Sequence, residues 1–372
     1  MVTARPETLR PPGRVATPST RTLAVAGEPA GALAPLVDDL VRAAAASAYE
    51  PALHAVEASL VLNIVDPERP RPFRRRARGT FVAALWSLPE PPEDGLRATY
   101  PMLVRALANI SLCYVPGHGV LFTTMERGHY LVPDSHGLAA AVLERLEPLA
   151  SARLVIENEF RTDLEPDLWE GDESTAALAE AGRRLDRLEL LPAPFPVEEY
   201  VGVRELRHIE RLYAIGGLSY GNLSTRKDGS RFWMSASGVD KAKLGQPGRD
   251  ILLVSGYDAD AARIVLSVPP GVARRRVSVD AIEHWMIYRQ NPEVGAILHV
   301  HAWVEGIVAT DVNYPCGTAE LASSVAALVA AAPDPGHAVV GLRNHGITAT
   351  GPSLREILDR LEPRLLRQVP MS

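Results

Sequence analysis

Apolar runs divide the first half of the chain into short strands and longer helices. Four runs bounded by Gly, Pro or polar residues are typical of buried strands, at 60–65, 79–85, 119–124 and 153–158. An Ala-rich stretch and three amphipathic stretches predict helices, at 26–55, 98–113, 138–149 and 174–188. We therefore expect a small α/β or α+β domain over residues 26–190. The preceding 25 residues carry Arg, Pro, Thr and Ser without an apolar core and predict a disordered tail.

A proline-rich segment at 191–196 interrupts this pattern and predicts a domain boundary. The second domain, residues 197–372, opens with a predicted helix over about 197–214. A segment rich in Gly and small hydroxyl residues follows at 216–238, and such backbone can approach an anion closely. Continuous apolar runs at 294–298 and 338–342 predict buried strands. The 372 residues suffice for two domains with separate cores.

Three histidines follow the last two apolar runs. His299 and His301 stand at the end of the run 294–298. Residues i and i+2 of a strand project from the same face, so both imidazoles can reach one point. His345 follows the run 338–342, 44 residues after His301. Three neutral imidazoles with no nearby cysteine suit a zinc-class divalent ion that keeps positions open for water or substrate. Core imidazoles bonded to the backbone are the alternative.

Composition narrows the class of protein. The chain is 47% hydrophobic and 23% charged, as in soluble globular proteins, and its net charge of −6 argues against a general nucleic-acid surface. It has no run of roughly 18 apolar residues, so we expect no membrane span. The cysteines, Cys113 and Cys316, share no metal or redox spacing and predict reduced thiols in a cytoplasmic protein.

Lysine usage bears on the choice of carbonyl chemistry, because a Schiff base requires a lysine. The only lysines, Lys227, Lys241 and Lys243, fall in one polar stretch, away from any apolar pocket signal. A metal route is therefore favoured over an imine route.

The second half of the chain resembles the class II aldolase/adducin family from about residue 200 onward. Gly221-Asn-Leu-Ser-Thr-Arg226 and Asn344-His-Gly346 are two of the matching segments. The others, in order, are 235–238, 280–288, 292–301 and 315–322. The resemblance implies an α/β fold with one mixed, largely antiparallel sheet flanked by helices, usually assembled as a homotetramer. The separate, smaller domain before it is not part of the resemblance.

Members of the family cleave, epimerise, dehydrate or decarboxylate small hydroxy-carbonyl compounds, often sugar phosphates, with a three-histidine zinc site. By position, the resemblance implies that His299, His301 and His345 are the metal ligands. It places Asp280 where the aldolases carry a glutamate acid/base and the ribulose-phosphate epimerases carry an aspartate. The phosphate-binding pocket is implied to contain Asn222, Ser237, Gly238 and Ser278.

The residues that begin the segment 280–288 have a second interpretation. Asp280 heads a predicted helix, so it could act as an N-cap instead of an acid/base. Glu283 could complete a capping box. His284 and Tyr288 follow at i+4 and i+8 and are predicted to pack rather than to bind metal.

Two departures from the family pattern limit the functional hypothesis. Only thirteen residues separate His301 from Pro315, where aldolases of the family have a longer loop with an aromatic proton donor, which leaves Tyr314 as the candidate. Val279 replaces a serine that commonly binds phosphate, and the neighbouring arginines at 274–276 could compensate.

The leading hypothesis is a zinc-dependent lyase that cleaves a C–C bond in a small hydroxy-carbonyl or sugar-phosphate-like substrate through a metal-stabilised enediolate. Epimerisation and decarboxylation at the same site are alternatives, as is a non-catalytic, adducin-like assembly protein. Mn²⁺, Co²⁺ or Fe²⁺ could replace Zn²⁺, and iron would allow oxidative chemistry. The expected partners are a small molecule and further copies of the chain.

Overall fold

The computed structural model describes residues 21–75, 80–124, 128–188, 190, 201–203 and 221–372. Two β-sheets, each with its own helices, make up most of this chain, and we number the described helices and strands in chain order. None of the described helices combines the length and the apolar character needed to cross a bilayer.

The N-terminal sheet has seven strands in the order β2-β1-β3-β4-β5-β6-β7. The first five are mutually parallel, and β6 and β7 are antiparallel additions at one edge. Their bounds are β1 Thr22–Ala26, β2 Glu50–Pro51, β3 Leu60–Ile64, β4 Phe81–Ser87, β5 Ile110–Val115, β6 Gly119–Thr124 and β7 His129–Pro133.

Helices cover both faces of the N-terminal sheet. The helices α1 (Leu33–Ala46) and α3 (Leu138–Ser151) pack on one face. The helix α2 (Gly95–Arg105) packs on the other face, against a second buried cluster. A strand that is buried on both faces carries continuous apolar residues, which explains why its sequence does not alternate.

Most predicted elements of this domain agree with the structure. The predicted strand 153–158 shares only its last two residues with the observed strand Glu157–Arg161. Three further places differ. The Ala-rich stretch 26–55 contains β1 and β2 at its ends, and only Leu33–Ala46 is α-helical. The predicted helix 98–113 ends at Arg105, and its last residues are in β5. The chain reverses there through Leu107, whose φ of +52° is incompatible with a continuing helix. The edge strand β7 was not predicted.

The C-terminal sheet has eight strands in the order β14-β15-β13-β9-β10-β11-β12-β8. All neighbours pair antiparallel except β12 and β8. The strands are β8 Glu157–Arg161, β9 Gly221–Asp228, β10 Arg231–Ser235, β11 Ile251–Asp258, β12 Arg263–Ser267, β13 Ala296–Val300, β14 Val339–Leu342 and β15 Gly346–Gly351.

Four helices of the described part of the chain flank this sheet and bury both of its faces. The helices α5 (Ala281–Gln290) and α6 (Ala319–Ala330) share one core cluster with the sheet. The helices α4 (Glu173–Arg187) and α7 (Leu354–Leu361) share the cluster on the opposite face. The predicted α/β fold, with a mixed, largely antiparallel sheet flanked by helices after a separate unit, is confirmed.

The structure attaches β8 and α4 to the C-terminal sheet, although the sequence placed both in the N-terminal domain. β8 pairs in parallel with β12 over five residues, from Glu157 opposite Arg263 to Arg161 opposite Ser267. On α4, Asp172 at the N-cap forms an ion pair with Lys227 of β9 at 2.7 Å. The tail was predicted to be disordered over residues 1–25, which is wrong for residues 22–25 because they belong to β1. The rest of that tail up to residue 20, the boundary segment 191–196 and most of the predicted helix 197–214 lie outside the described residues.

Candidate metal centre

The register of β13 with β15 brings the three histidines together. His299 lies in β13 opposite Thr348 of β15, and His301 lies one residue past the end of β13. His345 lies in the turn that joins β14 to β15, so it faces the same strand end. Asn344, whose φ of +59° is left-handed, turns the chain there and exchanges hydrogen bonds with the Ser372 backbone at 2.9 and 3.0 Å.

The three imidazoles converge within ligand-binding distance of one ion. Their ring centroids are 4.7 to 5.3 Å apart, and the candidate ligand nitrogens all lie within 4.8 Å of one another. The Nε2 atoms of His299 and His345 are 3.1 Å apart. Among the described residues, this is the one group of His, Cys, Asp or Glu side chains that could hold a metal ion.

The electrostatics of the triad favour neutral imidazoles, which are the form that binds a metal. The pKa values of His299 and His301 lie well below the ordinary value, because of burial first and the neighbouring His345 imidazole second. Two buried carboxylates accompany the triad, Asp280 at 5% and Glu283 at 2% exposure. Neutral nitrogen ligands beside buried carboxylates fit a divalent cation of the zinc class.

Asp280 occupies the N-cap position of α5, yet its side chain makes no capping hydrogen bond. Its Oδ2 instead accepts a hydrogen bond from Asn222 Nδ2 at 2.7 Å. Burial raises the pKa of this carboxyl, while the nearby His345 imidazole and the donors of Asn222, Gly317 and Ser278 oppose the rise. Asp280 is therefore held as a buried acceptor and is not used as a helix cap.

Glu283 does not form the capping box that its position in the sequence allowed. The carboxylate is buried, and its Oε1 accepts a hydrogen bond from Thr348 Oγ1 at 2.5 Å. Burial first, and the charge of Asp280 second, raise the pKa of Glu283 to about 8. The side chain thus points toward β15 instead of back to the start of α5.

Two of the four residues that the sequence assigned to substrate, Asn222 and Ser278, form hydrogen bonds with Asp280. Asn222 is 4% exposed and directs its amide nitrogen to Asp280, while its Oδ1 is buried without a hydrogen-bond partner among the described residues. Ser237 and Gly238 follow β10, and the Ser237 amide donates to the Arg276 carbonyl at 2.8 Å. That contact places Ser237 and Gly238 beside the chain leading to Ser278.

Among the described residues, the Tyr314 side chain forms no hydrogen bond with the three histidines. Its ring is partly buried and packs against the core cluster of α5 and α6. The structure therefore gives this predicted proton donor a packing contact, and its catalytic role stays a prediction.

The comparisons with known proteins agree with this geometry. Residues 211–311 match the family model described as "Class II Aldolase and Adducin N-terminal domain". The resemblance to the class II aldolase/adducin family is confirmed over these residues. A methylthioribulose-1-phosphate dehydratase from Leptospira biflexa is 30% identical over 124 residues, which are 32% of this chain and 55% of that protein. The chain thus spans about half the length of this curated relative.

Solved structures similar to this class II aldolase/adducin domain include two aldolases. The L-fuculose-1-phosphate aldolase from Thermus thermophilus is 23% identical with a TM-score of 0.32, covering 51% of this chain and 89% of that one. A sugar-phosphate aldolase from Thermotoga maritima is 15% identical with a TM-score of 0.32, covering 50% and 90%. At this similarity neither structure bears on the substrate or reaction of this chain.

Two side chains near the site of the class II aldolase/adducin domain were missed by sequence reasoning. The Sγ atom of Cys316 is 3.3 Å from Nδ1 of His345, whereas the sequence had indicated no cysteine near the triad. Lys241 is 4% exposed, and burial lowers its pKa to about 8 although Asp240, Asp280 and Asp186 act in the opposite direction. The sequence placed Lys241 in a polar stretch away from any apolar pocket signal, whereas the structure buries it. No local spacing signals either residue, because each depends on contacts between distant segments.

His284 and Tyr288 of α5 lie in the core, as predicted. Ser224 of β9 lies 2.7 Å from His284 Nδ1 and 2.9 Å from the Tyr288 hydroxyl. Both side chains are almost fully buried and contact Phe232. Their role is therefore to join α5 to the sheet behind the metal centre.

The histidines of the N-terminal sheet form no comparable centre. His118 and His129 line a surface cavity of about 400 Å³ together with Asp94 and Leu131, and His136 does not line it. His129 lies against Gly95 at the start of α2, and burial lowers its pKa. Among the described residues these histidines belong to no candidate metal site.

Proposed function

We propose that the class II aldolase/adducin domain is a metal-dependent lyase that cleaves a C–C bond in a small, phosphorylated hydroxy-carbonyl compound. The observation that carries the proposal is the convergence of three buried or partly buried imidazoles. Asp280 accompanies them and accepts a hydrogen bond from Asn222. Burying several polar groups together without a ligand would destabilise the fold, so the arrangement favours a functional site over a scaffold.

A divalent ion held by His299, His301 and His345 would polarise a substrate carbonyl and stabilise the negative charge that develops as a bond to the adjacent carbon breaks. The residues of the chain supply the rest of the chemistry. Asp280 is the group proposed to take up and return the proton, because it is buried beside the triad and burial raises its pKa above the ordinary value. Asn222, Ser237, Gly238 and Ser278 are proposed to orient the substrate and its phosphate, and Tyr314 remains a candidate proton donor.

Elimination of water is the second candidate reaction, and the similarity to proteins named methylthioribulose-1-phosphate dehydratase favours it. Epimerisation and decarboxylation need the same carbanion stabilisation and are further alternatives. The identity of the ion as Zn²⁺ rather than Mn²⁺, Co²⁺ or Fe²⁺, the assembly into homo-oligomers and a cytoplasmic location belong to the same proposal.

Metal content tests the first step of the proposal. Protein purified without added metal or chelator should contain about one divalent ion per chain by elemental mass spectrometry. His301→Ala should lose the ion, because two imidazoles hold a divalent cation weakly. His337→Ala is the matched control, since His337 is exposed and paired only with Asp334. Retention of the ion by His301→Ala would exclude the triad as the metal site.

Product analysis separates the candidate reactions. Phosphorylated ketoses are offered to the metal-loaded protein, and the products are identified by mass spectrometry. A pair of shorter carbonyl products supports C–C cleavage, the loss of one water molecule supports dehydration, and an unchanged mass with inverted configuration supports epimerisation. No reaction with any such substrate, in a protein that holds its ion, would contradict the lyase proposal.

A further inference from the structure

We infer that Glu283 is a positioning residue for the metal centre: through the hydroxyl of Thr348 it fixes the tautomer and orientation of His299, and so controls how tightly the triad binds a divalent cation. This inference rests on the proposed metal site. It assigns a role to a buried carboxylate for which the proposed lyase chemistry has no use.

The hydrogen bonds run in one direction from His299 to Glu283. Thr348 Oγ1 donates a hydrogen bond to Oε1 of Glu283 at 2.5 Å, so the hydroxyl proton of Thr348 is committed to Glu283. Thr348 Oγ1 lies 3.3 Å from His299 Nδ1 and, having used its proton, can only accept from it. This arrangement places the His299 proton on Nδ1. The Ile347 backbone forms a further hydrogen bond with this imidazole.

The tautomer decides whether His299 can bind an ion at all. With the proton on Nδ1, the lone pair of Nε2 points to where Nε2 of His345 lies 3.1 Å away. Without the carboxylate, the Thr348 hydroxyl could instead donate to Nδ1, which would move the proton to Nε2 and block the ligand position. Outer partners of this kind orient metal-binding histidines and raise their basicity.

The surroundings of the three residues exclude water from this chain of hydrogen bonds. His299 and Thr348 are fully buried, and Glu283 is 2% exposed. The second carboxylate oxygen, Oε2 of Glu283, is buried without a hydrogen-bond partner among the described residues. A buried polar atom that lacks a hydrogen-bond partner is costly for folding alone, which favours a functional role for Glu283.

A purely structural role is the competing explanation, because the Glu283–Thr348 bond also ties α5 to β15. Thr350 provides the matched control. It lies two residues further along β15, is also fully buried, and its hydroxyl donates to the Pro335 carbonyl at 2.6 Å. Thr350→Val therefore removes an equally buried hydroxyl from the same strand without a path to a histidine.

The test measures the dissociation constant for Zn²⁺ on the full chain, by competition with a chromophoric chelator. Thr348→Val should weaken Zn²⁺ binding about 10- to 100-fold, the usual effect of losing an outer partner of a ligand. Thr348→Ser keeps the hydroxyl and should bind within a few-fold of the unmodified protein. Thr350→Val should leave the constant unchanged even where it lowers the melting temperature.

The double variant Glu283→Gln/Thr348→Val distinguishes a shared path from two separate effects. Because Glu283 acts through Thr348, the double variant should bind Zn²⁺ no more weakly than the worse single variant. The Co²⁺ absorption spectrum gives a second readout, and its ligand-field bands should change in Thr348→Val and not in Thr350→Val. If Thr348→Val does not fold, the Zn²⁺ affinities of Glu283→Gln and Thr348→Ser are compared instead. Glu283→Gln should bind Zn²⁺ more weakly than Thr348→Ser.

Unchanged Zn²⁺ affinity in folded Thr348→Val, or equal losses in Thr348→Val and Thr350→Val, would overturn the inference while leaving the metal centre intact. Failure of the unmodified protein to take up any divalent cation would instead remove the proposed function, and with it the inference.

Discussion

Asn222 donates a hydrogen bond from its Nδ2 to Oδ2 of Asp280 over 2.7 Å, across 58 positions of sequence. The bond joins the start of β9 to the start of α5. It also uses the amide nitrogen of a residue that the family resemblance places in the phosphate-binding pocket. In this structure, Asn222 therefore donates its hydrogen bond to Asp280, and that amide hydrogen is not available to a substrate.

Replacing Asn222 should impair turnover without removing the ion. Asn222→Ala leaves the Asp280 carboxylate without its strongest side-chain donor, and a hydrogen bond to a charged group contributes about 1.5–3 kcal/mol. We expect kcat to fall about 10- to 100-fold, with metal content unchanged by elemental mass spectrometry. The substrate is whichever compound the product analysis identifies.

The Asp280→Asn variant tests whether the fall in kcat of Asn222→Ala arises from its effect on Asp280. Asp280→Asn should lose most turnover and retain the ion. Adding Asn222→Ala to it should cost little more, because the two changes remove the same interaction. Additive losses would instead assign Asn222 to direct contact with substrate.

Asp172 is expected to be a major stabilising contact between α4 and the C-terminal sheet. It caps α4 through the Thr175 amide, and its Oδ2 accepts from Lys227 at 2.7 Å and from Trp233 Nε1 at 3.2 Å. Asp172→Ala removes the cap and the charged contacts and should lower the free energy of unfolding by about 2–4 kcal/mol. Asp172→Asn keeps a capping side chain and should cost less. Urea denaturation at pH 7 checks both.

The stabilisation by Asp172 should disappear in acid. Burial raises the pKa of this carboxyl, but the hydrogen bonds from Lys227, Thr175 and Trp233 outweigh burial and leave it below the ordinary value of 3.8. A carboxyl whose pKa is lower in the folded state stabilises above the unfolded value, near 4, and loses that effect as pH falls through the folded value. The gap between the original chain and Asp172→Asn should therefore narrow below about pH 4. A gap that widens in acid would contradict this assignment.

The two cysteines should differ sharply in reactivity. Cys113 is fully buried, and burial raises its pKa to about 12, so at pH 8 only about one thiol in ten thousand is ionised. Cys316 is partly exposed and lies 3.3 Å from His345 Nδ1. A thiol-reactive disulfide should label one cysteine per folded chain, and saturating Zn²⁺ should slow that labelling. Labelling that persists in Cys316→Ser, or is indifferent to Zn²⁺, would contradict the placement of this thiol.

Local sequence pattern was sufficient for much of the fold. The apolar runs that became β3, β6, β13 and β14 could be located from sequence, since burial demands apolar side chains regardless of partner strand. Local sequence pattern failed at 98–113, where it predicted one helix in place of a helix followed by a strand. A buried helix and a strand buried on both faces carry the same continuous apolar residues, so the pattern does not separate them. Family motifs, not periodicity, indicated the antiparallel sheet.

The sequence by itself determined that His299 and His301 share a strand end, since a strand repeats every two residues. Only the tertiary structure decided what surrounds them. The sheet order places His345 and Thr348 against β13, Asn222 against Asp280, and Glu283 against Thr348. It also attaches β8 to β12 and brings Cys316 to His345. Local periodicity encodes which residues are buried, whereas these contacts depend on register between segments that are 29 to 106 positions apart.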